Sequence, residues 1–282
     1  MEVTVITDEI DADLDHALDV MAEYGVTGAE LRQVWDKNIA DTTEDDWKRI
    51  KTSLDAHGAR VIGLATPFYK CDLPGEWSDS PAGALHSASA RGLGDQIALL
   101  EHCFAAARFF DTRLIRVFSF WKRGPLTPEI EEFIVDAFAE PVAMAEREGL
   151  TLVLENEHAC YLGTGAQAAR VLAEINSPAM RAVWDPGNAI MDGEVPYPAG
   201  YEAIKPFIAH VHVKDAKRLP DKPTPQWTVV GGGDIDWRGQ FAALRTDGYT
   251  GYLSLETHYA ENGSKETASR ACLENLLRLV AE

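Results

Sequence analysis

A single closed (β/α)8 barrel over residues 1–282 is the fold class this sequence predicts, and three observations carry it. Short runs rich in Val, Ile, Leu and Ala alternate with helical patterns along the whole chain, as parallel β/α units require. The length of 282 residues is close to the about 250 that one such barrel takes. Several apolar runs close on carboxylates or imidazoles, and in a barrel chemistry sits at the carboxyl ends of the strands.

Eight strands are read in order: Val3–Asp8, Gly28–Arg32, Arg60–Thr66, Leu114–Phe120, Thr151–Glu157, Arg181–Asp185, Ile208–Lys214 and Tyr252–Thr257. The helices between them carry apolar stripes, with Leu14, Ala17, Leu18, Met21 and Ala22 at helical spacing near one end of the chain. Leu273, Leu276, Leu277, Val280 and Ala281 repeat the pattern near the other. Gly25, Gly58, Gly149 and Gly248 stand where helices should stop, because glycine takes the left-handed conformation at a helix end without steric cost. Thr127-Pro128 is a start signal, a capping hydroxyl followed by proline at the first helical position.

No linker divides the chain. Two longer irregular stretches, Pro67–Gly83 and Ala216–Gly233, each follow a strand and would overhang the catalytic face. They read as plain surface loops or, through Trp77 and Trp227, as walls or a lid for a ligand.

The composition is globular, with 46% hydrophobic and 25% charged residues, so a large core can form. A formal net charge of -19 repels phosphate backbones and anionic membrane surfaces, which argues against nucleic acid and membrane partners. Cys71, Cys103, Cys160 and Cys272 have no C-x-x-C spacing, which fits a reducing cytoplasm better than a disulfide framework. No basic leader and no apolar run of about 20 residues is present, so a soluble, unprocessed protein is expected. Oligomeric state stays open, a homo-oligomer included.

Four consecutive strand ends supply metal-competent groups: Glu155, Asp185, His212 and Glu256. Neighbouring parallel strands lie about 4.8 Å apart, so these ends can converge on one ion. Taken singly, a strand-end glutamate is usually a solvated rim group and a His-x-His histidine a satisfied core residue. Taken together, they would crowd negative charge without a cation to neutralise it. Three carboxylates and an imidazole suit one divalent ion, Mn2+ first, with Mg2+, Co2+ or Zn2+ also compatible. Glu157 shares the side-chain phase of Glu155, His210 that of His212 and His258 that of Glu256, so all three could reach the mouth. Lys214 and Arg218 are read as substrate contacts or as rim salt bridges, and Glu30 and Arg116 as weaker substrate-binding candidates. Trp35, Phe68, Phe118, Phe120 and Trp121 lie near strand exits, where they could pack against a sugar or simply fill the core.

Leu-Glu-Asn at 154–156, Trp-Asp-Pro-Gly-Asn at 184–188, His-Val-His-Val-Lys-Asp at 210–215, Gly-Gly-Asp-Ile-Asp-Trp at 232–237 and Leu-Ser-Leu-Glu at 253–256 resemble the signature blocks of the sugar phosphate isomerase/epimerase family, the xylose-isomerase-like TIM barrels. Thr7-Asp8-Glu9 and Gly28-Ala29-Glu30-Leu31 extend the resemblance over nearly the whole chain. It implies that Glu155, Asp185, His212 and Glu256 bind the metal and that the two glutamates are the acid/base pair. It also implies isomerase or epimerase chemistry on a sugar, sugar phosphate or polyol, a small polyhydroxylated carbonyl compound, through a metal-stabilised enediolate. Ketose 3-epimerase relatives carry a histidine three residues after the sixth-strand aspartate. Here Asn188 stands there, a substrate-binding candidate that hydrogen-bonds but carries no charge.

Three rivals remain at this level. A dehydratase of the same scaffold, acting on an inosose or dehydroshikimate, shares the proton abstraction and differs in the fate of the enediolate. A phosphodiesterase like the apurinic endonucleases needs extra histidines and a basic face, whereas His57, His86 and His102 fall in predicted helices or at their ends. A sugar-binding barrel without turnover is disfavoured because both candidate acid/base glutamates are present.

Overall fold

The structure is a computed structural model, and it describes residues 1–75, 91–260 and 263–282. Eight parallel strands close into a barrel: β1 (Glu2–Ile6), β2 (Gly28–Leu31), β3 (Arg60–Phe68), β4 (Leu114–Val117), β5 (Thr151–Glu155), β6 (Met180–Trp184), β7 (Ile208–Val213) and β8 (Tyr252–Leu255). Each pairs with its neighbour in sequence, and β8 returns to β1 through Val3 opposite Leu253 and Val5 opposite Leu255. The strand count and order are those expected.

The strand ends differ systematically from expectation. Seven of the eight stop short of the predicted end, β4 at Val117 instead of Phe120 and β5 at Glu155 instead of Glu157. Polar end residues leave the ladder to satisfy side-chain partners, while the apolar runs behind them stay in it. β3 runs longer, to Phe68, because its register against β4 slips between Leu64 and Phe68. The phase argument that linked Glu157 to Glu155 therefore fails, since the chain has left the strand between them.

Helices cover the outside, and their ends obey local chemistry. Thr127 caps the helix Pro128–Ala137 by accepting from the Ile130 amide. Thr43 and Asp46 form a reciprocal capping box on Glu44–Ala56, and Thr164 with Gln167 forms another on Gly165–Ile175. The four stop-signal glycines all take positive φ, from 62° to 75°. The predicted stripes hold with local shifts: Leu14, Ala17, Leu18 and Met21 are buried but Ala22 is exposed. In the last helix, Lys265–Ala281, the buried face runs through Cys272, Leu273, Leu276 and Leu279, with Leu277 and Val280 at its margin.

The stretch after β7 is not a featureless loop. Asp215–Lys217 and Gln226–Thr228 form a small antiparallel hairpin, with Ala216 opposite Trp227. The Asp215 carboxylate accepts from the amides of Ala216 (2.8 Å), Gly231 (2.8 Å) and Gly233 (3.2 Å), which folds the loop back on its own start. Gly233 is needed there, because a Cβ would lie 2.1 Å from Asp215 Oδ1. Trp77 and His86 lie outside the described residues. Among the described residues no helix is long and apolar enough to cross a membrane. The four cysteines are buried and unpaired in disulfides.

Candidate metal centre at the barrel mouth

The carboxyl ends of β5 to β8 bring Glu155, Asp185, His212 and Glu256 together, with one ligand-type atom from each within 4.8 Å of all the others. Glu155 is the last residue of β5, Asp185 and Glu256 directly follow β6 and β8, and His212 lies in β7 opposite Ser254. All four are buried. Asn156 fixes the spacing of the first two: its amide nitrogen donates to the Asp185 carbonyl (2.9 Å) and its oxygen accepts from the Asp185 amide (2.8 Å). That side chain replaces one rung of the β5–β6 ladder.

His212 is oriented from behind. Its Nε2 lies 3.2 Å from Glu30 Oε1, and the other oxygen of Glu30 lies 2.9 Å from His210 Nε2. A carboxylate on the far ring nitrogen fixes the tautomer so that the lone pair is on Nδ1. Nδ1 faces Glu155 Oε1 at 3.4 Å, Glu256 Oε2 at 3.5 Å and Asp185 Oδ2 at 3.8 Å, and makes no hydrogen bond. Burial opposes charging of the ring, yet Glu30, Glu155 and Glu256 hold His212 well above the usual imidazole range, so Nδ1 presents to the three carboxylates either a proton or a bound cation. The separations also fit one, since bonds of about 2.1 Å in a tetrahedron put ligand atoms about 3.4 Å apart.

The remaining contacts hold the two glutamates. Glu155 accepts from Asn188 Nδ2 at 2.9 Å and lies 3.1 Å from Arg116 Nη1. Glu256 accepts from Arg32 Nη1 at 2.9 Å and Lys214 Nζ at 2.6 Å, with His258 Nε2 at 3.3 Å. Burial opposes ionisation of both, yet Arg116 and His212 hold Glu155 below the usual carboxylate range, and Lys214 and His258 hold Glu256 well below it. Asp185 goes the other way: burial pushes it up to about 7, only partly offset by Lys214 at 2.9 Å. Negative charge at this centre is therefore incompletely neutralised by the protein itself.

The other sequence candidates are dispersed around this centre. Lys214 is buried between Asp185 and Glu256 and is not at the rim. Glu157 is buried against Lys70 Nζ at 3.2 Å and His158 Nδ1 at 2.9 Å. Asn188, in the first turn of the helix Pro186–Met191, bridges Glu155 to His158. His210 lies one pleat below His212, almost wholly enclosed, and meets Glu30 there and not the open mouth. Arg218 is exposed at the start of the loop that joins the two hairpin strands, its amide donating to Asp234, and is not brought into the cluster. Phe68, Phe118, Phe120 and Trp121 are buried, Phe118 beneath Lys70 Nζ at 4.3 Å, while Trp35 carries the Arg49 guanidinium at 3.7 Å.

Sequence reasoning missed Arg32, Lys70 and Asn156, and it undervalued Glu30. Arg32 is buried with Asp8, Glu9 and Glu256 around its guanidinium. The signal was available in the adjacent ends of β1 and β2, where Asp8-Glu9 and Glu30-Leu31-Arg32 put opposite charges side by side. Lys70 left no such signal, because Tyr69 at φ 59° turns the chain out of β3, and a left-handed tyrosine is not expected from sequence.

Above the centre stands Trp227. Its ring is 5.1 Å from that of His258 and 6.0 Å from that of His158, and Lys214 Nζ lies 5.3 Å from its centroid. The Asp215-anchored hairpin holds it in place.

This fold and site define a class. The family model described as xylose isomerase-like TIM barrel matches residues 18–278, and the chain belongs to that family. It is 25% identical over 154 residues to the inosose dehydratase of Geobacillus thermodenitrificans, a match covering 49% of this chain and 50% of that protein. The match thus spans about half the length of the curated relative. Among solved structures, the IOLI protein with a binding zinc atom superposes with a TM-score of 0.77 at 18% identity, covering 100% of this chain and 98% of that one. The 3-keto-D-glucoside 4-epimerase of E. coli gives 0.71 at 16% identity, covering 100% of each chain. These two likenesses establish the fold.

Proposed function

We propose that this chain is a divalent-metal-dependent isomerase or epimerase of a small polyhydroxylated carbonyl compound, with the ion held by Glu155, Asp185, His212 and Glu256. The observation that carries the reading is His212 Nδ1, buried without a hydrogen bond and facing three carboxylates at 3.4–3.8 Å. The zinc in the IOLI structure and the epimerase among the structural neighbours agree with it. The donor set suits Mn2+ first, with Mg2+, Co2+ or Zn2+ as alternatives.

A divalent ion held there supplies a Lewis acid that draws electrons from a substrate carbonyl and acidifies the adjacent C–H. Glu155 and Glu256 reach the centre from the ends of β5 and β8, three strands apart in the barrel. Both are held as carboxylates, as a base must be before it acts. One of the two glutamates removes the proton. The other returns a proton taken up from water, and the first gives its own up to water, so both end as carboxylates again. Return to the opposite face of the same carbon gives epimerisation, and return to the neighbouring carbon gives isomerisation.

A dehydratase is the second reading, favoured by the inosose dehydratase relative. Calorimetric titration with Mn2+ should give about one ion per chain, weakened in Glu155→Gln, Asp185→Asn and His212→Ala. Equal binding by all three variants overturns the metal assignment. Incubation with ketoses and inososes in deuterated water then separates the chemistries: solvent deuterium at carbon without loss of water supports the isomerase, and water loss the dehydratase.

A further inference from the structure

His158 stands at the mouth, outside the pair of acid/base glutamates. Its ring is 6.0 Å from that of Trp227, and Asn188 joins it to the centre, with Nδ2 donating to Glu155 at 2.9 Å and Oδ1 lying 3.0 Å from His158 Nδ1. The same Nδ1 is 2.9 Å from Glu157 Oε1. Asn188 turns its oxygen to the ring because its nitrogen is committed to a carboxylate, so both neighbours of Nδ1 are acceptors and Nδ1 carries the proton. In the uncharged ring the lone pair then falls on Nε2. That nitrogen has no hydrogen-bond partner among the described residues and is open to solvent, in a side chain 26% exposed.

Glu157 is itself held from behind. It is buried, with Oε2 3.2 Å from Lys70 Nζ and Oε1 accepting from the Ala159 amide at 3.2 Å. Lys70 is buried as well, its Nζ 4.3 Å from the centroid of Phe118 and 5.4 Å from that of Trp121. Two buried charges are a costly way to steady a rim histidine. They suit an acid/base histidine, where a carboxylate on one ring nitrogen fixes the tautomer and stabilises the charged ring while the other nitrogen meets the substrate. Burial opposes protonation, yet Glu157 and Asn188 hold His158 above the usual imidazole range against an opposing pull from Lys214, so the ring keeps a proton ready.

We propose that His158 is a third acid/base group of this site, giving a proton from Nε2 to a substrate oxygen, with Glu157 and Lys70 as positioning residues. The proposal rests on the isomerase or epimerase reading above and adds the proton traffic on oxygen, which two glutamates working on carbon do not supply. As a glutamate takes the α-proton, Nε2–H passes its proton to the oxygen that gains charge, leaving an enediol and an uncharged ring protonated at Nδ1. In epimerisation Nε2 takes the proton back from that oxygen as the carbonyl re-forms. In isomerisation it takes one from the neighbouring hydroxyl, which becomes the new carbonyl. Either way the imidazolium is restored.

The test is deuterium uptake at carbon from deuterated water into D-fructose, D-xylulose and myo-inosose by the Mn2+-loaded full chain. His158→Gln keeps a polar side chain but cannot shuttle a proton. On the probe that wild type exchanges, its kcat should fall about 100- to 10,000-fold, with KM and the Mn2+ Kd within about threefold of wild type. Glu157→Gln should lower kcat by about tenfold or more with the same KM and Kd. Long-range 1H–15N spectra of the ring-labelled chain read the tautomer without turnover: the uncharged His158 ring, assigned by its absence in His158→Gln, should carry its proton on Nδ1. Wild-type kcat in His158→Gln, a loss of Mn2+ affinity that matches the loss of kcat, or an uncharged ring protonated at Nε2 overturns the proposal and leaves the metal-dependent reading standing. No uptake by wild type into any of the three probes overturns that reading and this proposal with it.

Discussion

His212 Nε2 lies 3.2 Å from Glu30 Oε1, a contact between residues 182 apart in sequence that points the other ring nitrogen at three carboxylates. Glu30 also forms, with His210 and His212, a second group whose atoms lie within reach of one ion, and under the proposed four-ligand site it acts through His212. Glu30→Gln should weaken Mn2+ binding about 10- to 100-fold with the fold retained, as loss of such a supporting carboxylate does at other metal sites. Calorimetric titration beside far-ultraviolet circular dichroism checks it. Unchanged affinity would return Glu30 to a packing role.

Asn156 ties β5 to β6 through two bonds to the Asp185 backbone. Asn156→Ala leaves a buried amide and carbonyl without these partners, which costs about 1–3 kcal/mol each where no water enters. Thermal unfolding should show a fall of several degrees in Tm, and metal affinity should drop with it because Asp185 loses its anchor. A variant with wild-type Tm and affinity would show that the two bonds are redundant.

Trp227 covers the centre without touching any of the four proposed ligands through a polar group. Trp227→Ala should therefore leave the Mn2+ Kd unchanged while raising KM about tenfold for the substrate identified by the deuterium-exchange panel. A change in metal affinity of similar size would place the hairpin in the metal's support and not in the substrate wall.

Asp46 lies far from the mouth and gives a prediction about stability alone. Lys37 and the Thr43 amide and hydroxyl lower its pKa to about 2. A carboxylate depressed in the folded state contributes stability above its unfolded pKa of about 3.9, and that contribution is lost as pH falls through the folded value. The capping box it completes is worth about 0.5–2 kcal/mol. Asp46→Asn should lose that amount at neutral pH, and denaturant titrations should show the gap to wild type closing below about pH 4. A constant gap down to pH 3 would assign the cost to packing.

Several features of this protein were determined by the sequence alone. The eight β/α units, the helix stops at Gly25, Gly58, Gly149 and Gly248, and the convergence of Glu155, Asp185, His212 and Glu256 follow from local periodicity, turn chemistry and the position of polar residues at strand ends. These are properties of short segments, and a closed parallel barrel turns consecutive strand ends into neighbours. The tertiary structure alone decided how the charges pair. Arg32 meets Glu256 across 224 residues, Lys70 meets Glu157 across 87, and Glu30 meets His210 across 180. Such pairs depend on barrel closure, on register slips such as that between Leu64 and Phe68, and on the left-handed turn at Tyr69. No short window of sequence contains both members of any of them, so the neutralised cations of the mouth became visible only in three dimensions.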